Sequence, residues 1–398
     1  MPDWSRRTLL RAAGGVGVAG TLGAGWYVAE RPHCRPAIDS RWTYRGEHWA
    51  PVVETKHGVL AVEGHGVTGG SLYRLAALDP TSGQARWTTV AEGGGFGMPT
   101  LDDGRVYVGT GIDTVRAIDA ETGRIEWTYD VGGVEEYGGG AWGRPLVADG
   151  RIYVGVSHSS DPDADPTESA EFTHRLVALD ATDGAERWAT DVTTQVWAGP
   201  VHVADTVVAG SEDGVLRAFD PETGAVRWRF SLPGALRRRP IVIGDSLTLV
   251  TEDGTVASVD VRDGRIRRTQ DVLDATTAVE RRDDILYVGG ESGRVVALAV
   301  DPSDSAEWPI EWEYDASVRV GGVAAGEAGT FVVDQSAHLH RVSDGGQREN
   351  RVRLIERESE NRCGWIPGHH LASGVVLDGR SLYVSSMWWI RSFDVGDV

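Results

Sequence analysis

Apolar and polar residues alternate in short runs through most of the chain, and turn residues cut the runs at close intervals. Between Gly224 and Asp260 four such runs follow one another: Ala225 to Phe230, Pro240 to Ile243, Asp245 to Val250, and Thr255 to Val259. A period of two is the mark of a strand with one buried face. Gly244-Asp245, Asp253-Gly254 and Asp263-Gly264 stand between or beside the runs, and such pairs favour tight hairpins. Each group of runs therefore predicts an antiparallel sheet of four short strands. Stretches with a helical period are scarce beyond the N-terminus.

The sheets recur. Asp220-Pro-Glu-Thr-Gly224-Ala-Val-Arg-Trp228 has the form Asp-x-x-Thr-Gly-x-x-x-Trp, and Asp79 to Trp87, Asp119 to Trp127 and Asp180 to Trp188 keep its spacing. Asp260 to Arg268 keeps the Asp and Gly264 but loses the Trp, and Asp301 to Trp312 is a longer, degraded copy. An alternating strand precedes the Asp in each case, as in Thr114 to Ile118 and Val215 to Phe219. The period is 40 residues from Asp79 to Asp119, from Asp180 to Asp220 and from Asp220 to Asp260. A four-stranded unit repeating at this length predicts the blades of a β-propeller. One Trp per blade at a fixed phase predicts packing between neighbouring blades. The Asp is expected to hydrogen-bond backbone two residues on, with the Gly in the left-handed turn position.

The Ala-x-Asp-x-x-Thr-Gly-x-x-x-Trp unit resembles the tryptophan-docking repeat of the pyrroloquinoline-quinone (PQQ) propellers. The resemblance spans roughly residues 40 to 395. It implies an all-β, eight-bladed propeller whose inner strands begin near Pro51, Pro99, Pro145, Pro200, Pro240, Ala278, Gly322 and Ser373. The eighth blade ends at Asp394 without an outer strand of its own. The segment Asp39 to Tyr44, with Trp42, is expected to supply it and close the ring, because an open array leaves unpaired strand edges.

Composition changes the picture in one respect. The chain of 398 residues carries a formal net charge of −20, and its one lysine is Lys56. Such a surface disfavours nucleic acid and anionic lipid. It suits a protein from a high-salt habitat, where self-repulsion is screened. Cys34 and Cys363 are too few for a disulfide scaffold or a four-cysteine zinc site. They could form one bridge if the N-terminal arm wraps over the edge of the ring.

The N-terminus reads as an address. Ser5-Arg6-Arg7-Thr8-Leu9-Leu10 resembles a twin-arginine export motif. The uncharged run Ala12 to Ala29 behind it holds 18 residues, six of them glycine. Helical, it would be about 27 Å long, marginal for a bilayer. Leu22 to Ala24 and Tyr27 to Ala29 are both imperfect cleavage sites. Residues 1–35 are therefore expected to be a signal or a membrane anchor outside the propeller of 36–398.

Chemistry in a propeller gathers where the connectors into the inner strands meet the axis. Trp142 and Trp197 each stand three residues before an inner-strand proline, with Phe96 and Arg237 at the matching positions. They read either as plugs of the axial funnel or as a ligand-facing ring. With Arg144, Arg238 and Trp388 they are the candidate ligand-binding residues, and aromatic walls with basic groups suit a planar anion. The run Arg237-Arg238-Arg239 either pairs with local carboxylates or holds an anion. Asp161-Pro-Asp163-Ala-Asp165 resembles the start of a calcium loop but lacks the required Gly and Glu, so no metal site is assigned. The adjacent His369 and His370 point to opposite faces of a strand and are poor joint ligands.

The resembling family holds both enzymes and scaffolds. Its dehydrogenases place Glu, Asn and Asp around calcium, some with a pair of adjacent cysteines. This chain has no Cys-Cys pair and only Asn350 and Asn361 as asparagines, so no catalytic residue is assigned. The expectation is an exported, monomeric, non-enzymatic scaffold at the cell surface that binds a protein or small-molecule ligand. The alternative is a PQQ-dependent dehydrogenase with a reduced site.

Overall fold

The computed structural model describes residues 38–398 except 46–52, 56–57, 68–69, 93–94, 112–113, 133–139, 160–171, 233, 301–306, 355–373 and 387–388. The twin-arginine segment, Cys34, Cys363, the Asp161 loop, the His369-His370 pair and Trp388 lie outside the described residues. Among the described residues no helix is long and apolar enough to cross a membrane.

The strands form eight four-stranded sheets, each antiparallel throughout. Blade 5 runs outward from Ile241–Ile243 through Ser246–Val250 and Thr255–Asp260 to Ile266–Asp271. Its second strand is wholly buried and its outermost alternates exposed with half-buried positions. That gradient follows the composition, from Leu-Thr-Leu-Val inside to Arg-Arg-Thr-Gln at the rim. The inner strands begin at Val53, Thr100, Leu146, Val201, Ile241, Thr276, Val320 and Gly374, which bears out the expected sites.

The ring closes as the sequence predicts. Blade 8 is ordered Trp42–Arg45, Trp389–Asp394, Ser381–Ser385, Gly374–Asp378 from rim to axis, with Trp42 opposite Ser392 and Arg45 opposite Trp389. The edge that an open array would leave unpaired is thus covered by the front of the same chain.

The repeat motif is a joint between blades. Each motif Trp stands opposite a small residue of its own blade, Trp87 against Ala77, Trp188 against Ala178 and Trp228 against Ala218. Its indole N–H then donates to the carbonyl one residue past the Asp of the next blade. The bonds are Trp42 to Pro80 (2.8 Å), Trp87 to Ala120 (2.9 Å), Trp127 to Ala181 (3.1 Å), Trp188 to Pro221 (2.8 Å) and Trp228 to Val261 (2.7 Å). Each indole lies on the turn glycine of that next blade. A Cβ on Gly83, Gly123, Gly184, Gly224 or Gly264 would lie 2.5–2.7 Å from the ring of Trp42, Trp87, Trp127, Trp188 or Trp228 in turn. Those glycines also hold φ between +69° and +74°, so conformation and space demand glycine together. Gly224→Ala is expected to destabilise the protein by about 2–4 kcal/mol, from left-handed backbone plus overpacking. Chemical denaturation checks it, and a smaller loss at Gly244, where a Cβ meets nothing within 4 Å, is the control.

The Asp of the turn makes a second contact beyond the backbone hydrogen bonds. One oxygen of Asp220 accepts the backbone N–H groups of Glu222 (3.0 Å) and Thr223 (2.9 Å), as expected. The other pairs with the arginine just before the motif Trp: Asp79 with Arg86 (2.8 Å), Asp180 with Arg187 (2.5 Å) and Asp220 with Arg227 (2.8 Å). The guanidinium first, with the turn hydrogen bonds, brings the Asp79, Asp180 and Asp220 carboxyls down to about 2.

Where the motif lapses, other chemistry takes over. Arg268 replaces Trp in blade 5, and its guanidinium lies 4.8 Å from the ring centre of Trp308 in blade 6, a cation–π contact. Gln270 brackets the same residue, donating to the Trp308 carbonyl (3.2 Å) and accepting its N–H (2.7 Å). In the degraded copy, Trp312 still lies on Gly346 of blade 7.

Candidate functional site at the axial mouth

The connectors into the inner strands approach one another closely at one face of the ring. Added Cβ atoms on Gly97, Gly143 and Gly199 would lie 2.7, 2.6 and 2.3 Å from the carbonyl oxygens of Ala141, Val196 and Arg144. Glycine at these positions lets neighbouring connectors touch backbone to backbone, which fixes the side chains that precede the inner strands. At the centre is a cavity of about 410 Å³, lined from blades 2 to 8 by Met98, Arg144, Trp197, Arg237 to Arg239, Thr277 to Glu280, Gly321 to Val323 and Gly374 to Val376.

Arg144, Arg238 and Trp197 therefore share one cavity, as the sequence reading proposed. Trp142 does not line it. Its ring stacks on Trp197, with centroids 6.3 Å apart and planes at 27°, and fills the space beside Gly111, where a Cβ would lie 2.3 Å from the ring. Trp142 thus has the plugging placement, whereas Trp197 is 39% exposed and donates to Glu212 (3.2 Å). Phe96 is buried in the core shared by blades 1 and 2. Arg239 of the arginine run lines it too, and so does Glu280, a charged residue that the sequence did not mark for the site. Glu280 follows an inner-strand start, and an acidic residue at that phase was the available signal.

The arginine run divides. Arg237 is exposed and pairs with Glu212 (2.5 Å) and Glu252 (3.7 Å). Arg238 donates to the Thr276 carbonyl (3.1 Å) and Arg239 to the Pro200 carbonyl (2.9 Å). Burial pushes the guanidiniums of Arg144 and Arg238 below their ordinary value, with Arg319 adding to the effect on Arg238 and Glu252 opposing it. Burial and then the charge of Arg144 bring Arg239 down to about 10.

Burial also pushes the Glu280 carboxyl up to about 7, against a backbone hydrogen bond from Arg281. A carboxyl raised in the folded state binds its proton more tightly there than in the unfolded chain. Its contribution is intact below the ordinary carboxylate range and is lost as pH rises towards 7. Glu280→Gln is expected to raise the melting temperature at pH 8 and to leave it unchanged near pH 4. Equal effects at both pH values would contradict the assignment. Among the described residues no group of three or more His, Cys, Asp or Glu is disposed to hold a metal ion.

Eight four-stranded blades joined by docked tryptophans, with a charged axial mouth, define a propeller of the PQQ-like class. A family described as outer membrane protein assembly factor BamB matches residues 40–161 and 173–392, and the chain belongs to it. Among solved structures, BamB from Moraxella catarrhalis is similar at 16% identity and a TM-score of 0.64, over 90% of this chain and 99% of that one. The computationally designed Ika8 protein is similar at 13% identity and a TM-score of 0.62, over 89% and 99%. Quinohemoprotein alcohol dehydrogenase from Comamonas testosteroni is similar at 12% and 0.64, over 91% of this chain and 77% of the enzyme. No curated protein matches the chain.

Proposed function

We propose that the protein is a non-enzymatic scaffold of the cell exterior that binds a partner at the axial mouth. The observation that carries this reading is the family match, which runs over all but the Asp161 loop of the ring and whose description is that of an assembly factor. Length supports it, because the chain spans nearly the whole of the BamB structure but leaves about a quarter of the dehydrogenase uncovered. Export through the twin-arginine route, with residues 1–35 removed or kept as an anchor, follows from Arg6-Arg7 and the weakly apolar run behind them. A high-salt habitat follows from the net charge of −20 and the single lysine.

The test has two arms. A photo-cross-linker at Trp197 is expected to capture a defined envelope protein, and one at Asp149, at the far end of a blade 3 inner strand, is expected not to. Equal capture at both positions would refute a binding role for the mouth. In the second arm the full chain is titrated with PQQ and calcium and assayed for dye-linked alcohol oxidation. Turnover would replace the scaffold with a PQQ-dependent dehydrogenase.

A further inference from the structure

In a chain with 59 acidic and 39 basic residues, counter-charges for arginine are plentiful. At the rim the arginines use them, as Arg86, Arg187 and Arg227 do, and at the mouth Arg237 does as well. Three others at the mouth are different. Arg144, Arg238 and Arg239 line one cavity, and none of them forms an ion pair with a described carboxylate. Each guanidinium has five N–H donors. Arg238 and Arg239 each place one on a backbone carbonyl, and the Nε of Arg238 is buried without a partner. Bonds to Thr276 and Pro200 staple neighbouring blades, but a neutral donor could do that without gathering like charges. The Glu280 carboxyl in the same cavity pairs with none of the three. Half-buried cations held in no ion pair are costly, and keeping them together runs against stability.

We infer that Arg144, Arg238 and Arg239 form a receptor at the propeller axis for a compact oxyanion, either phosphate or carboxylate. The three guanidiniums, on connectors of blades 3 and 5, line one cavity of about 410 Å³, and a guanidinium fork suits bidentate contact with a tetrahedral or planar oxyanion. Val279, Val323 and Val375 line the same cavity and lower the local dielectric, which strengthens those contacts. The oxyanion is either free in solution or carried by a partner's acidic segment. This inference rests on reading the mouth as a binding surface and adds the chemistry it takes.

Calorimetric titration of the full chain with inorganic phosphate, and in parallel with citrate, at one fixed chloride concentration tests it. Saturable binding at one site per chain is expected for at least one anion. Preference for phosphate would indicate the free ion, and preference for citrate a carboxylate-bearing ligand. Arg144→Gln and Arg238→Gln are each expected to weaken binding about tenfold or more, the loss of a charge-assisted contact. Arg227→Gln, which removes a rim arginine paired with Asp220 and remote from the cavity lining, is expected to change it little. If a variant does not fold, the wild-type melting curve decides, since phosphate or citrate should raise it above an equal ionic strength of chloride. No saturation by either anion at millimolar concentration, or wild-type affinity in Arg144→Gln and Arg238→Gln, would overturn the receptor. The cross-linking outcome above is independent of this result, so the two readings can fail separately.

Discussion

Trp42→Ala is expected to destabilise the protein by about 3–5 kcal/mol, the range for removing a large buried aromatic. Trp42 is 7% exposed. It touches Tyr383 within its own blade (ring centroids 5.8 Å) and docks on Pro80 and Gly83 of blade 1. Other docking tryptophans join blades that the chain already connects. Trp42 does so too, since its strand leads within a few residues into Val53–Thr55 of blade 1, but that strand is itself held to Trp389–Asp394 only by pairing, so losing Trp42 also loosens the noncovalent seam of the ring. Deleting residues 38–45 goes further, because it bares the edge of Trp389–Asp394 and removes the four pairs from Trp42–Ser392 to Arg45–Trp389. The deleted chain is expected to lose a single cooperative transition and to associate through the exposed strand. Calorimetry and sedimentation check both outcomes. A Trp42→Ala protein melting within a degree of wild type would show that the seam does not hold the ring. Trp188→Ala, at an interior joint, is the comparison.

Most of this architecture was legible because the sequence repeats it. Fixed spacing from Asp to Gly to Trp located the third-to-fourth strand turn in four blades, and its lapse at Arg268 was visible too. What the Arg268 position does was not legible. Its partner Trp308 lies outside the motif, and only the fold brings a cation over that ring. The mouth was legible in part for a related reason. Connector phase put Arg144, Trp197 and Arg238 together, since each precedes an inner strand by a similar distance. It could not separate Trp197 from Trp142, because the same phase serves a residue that faces the cavity and one that wedges under Gly111. Nor could it separate Arg237, which pairs with Glu212 and Glu252 from other turns of the chain, from its two neighbours. Pairing across blades is a property of closure, not of local pattern.

Asp334→Ala is expected to cost about 3–5 kcal/mol, the penalty for removing one member of a buried charged network and stranding the rest. Asp334 has no solvent exposure and stands at the end of strand Gly329–Asp334 in blade 7. Its carboxylate faces Nε2 of His340 (3.0 Å), Nδ1 of His338 (3.4 Å) and the Arg351 guanidinium (3.7 Å), and it accepts the His338 backbone N–H (2.9 Å). Behind His340, Nδ1 is 2.6 Å from the Tyr314 hydroxyl of blade 6, so the network bridges two blades. His338 and His340 share a face because a strand repeats every two residues. Burial alone would raise the Asp334 carboxyl, but the hydrogen bonds from His338 and His340 outweigh it and hold the group well below the usual carboxylate range. The sign of the pH effect follows. A depressed carboxyl contributes stability that is present above the ordinary carboxylate value and is lost as pH falls towards the folded value. Wild type should therefore lose stability steadily on acidification below about pH 4, and Asp334→Asn, already uncharged, should lose less over the same window. Urea titrations of wild type, Asp334→Ala and Asp334→Asn between neutral pH and pH 3 measure both the cost and the slope. A change of under about 1 kcal/mol in Asp334→Ala at neutral pH, below the range for a broken buried ion pair, would mean that Arg351 and the histidines are satisfied elsewhere and that the blade 6–7 joint rests on its apolar core, Trp312 included.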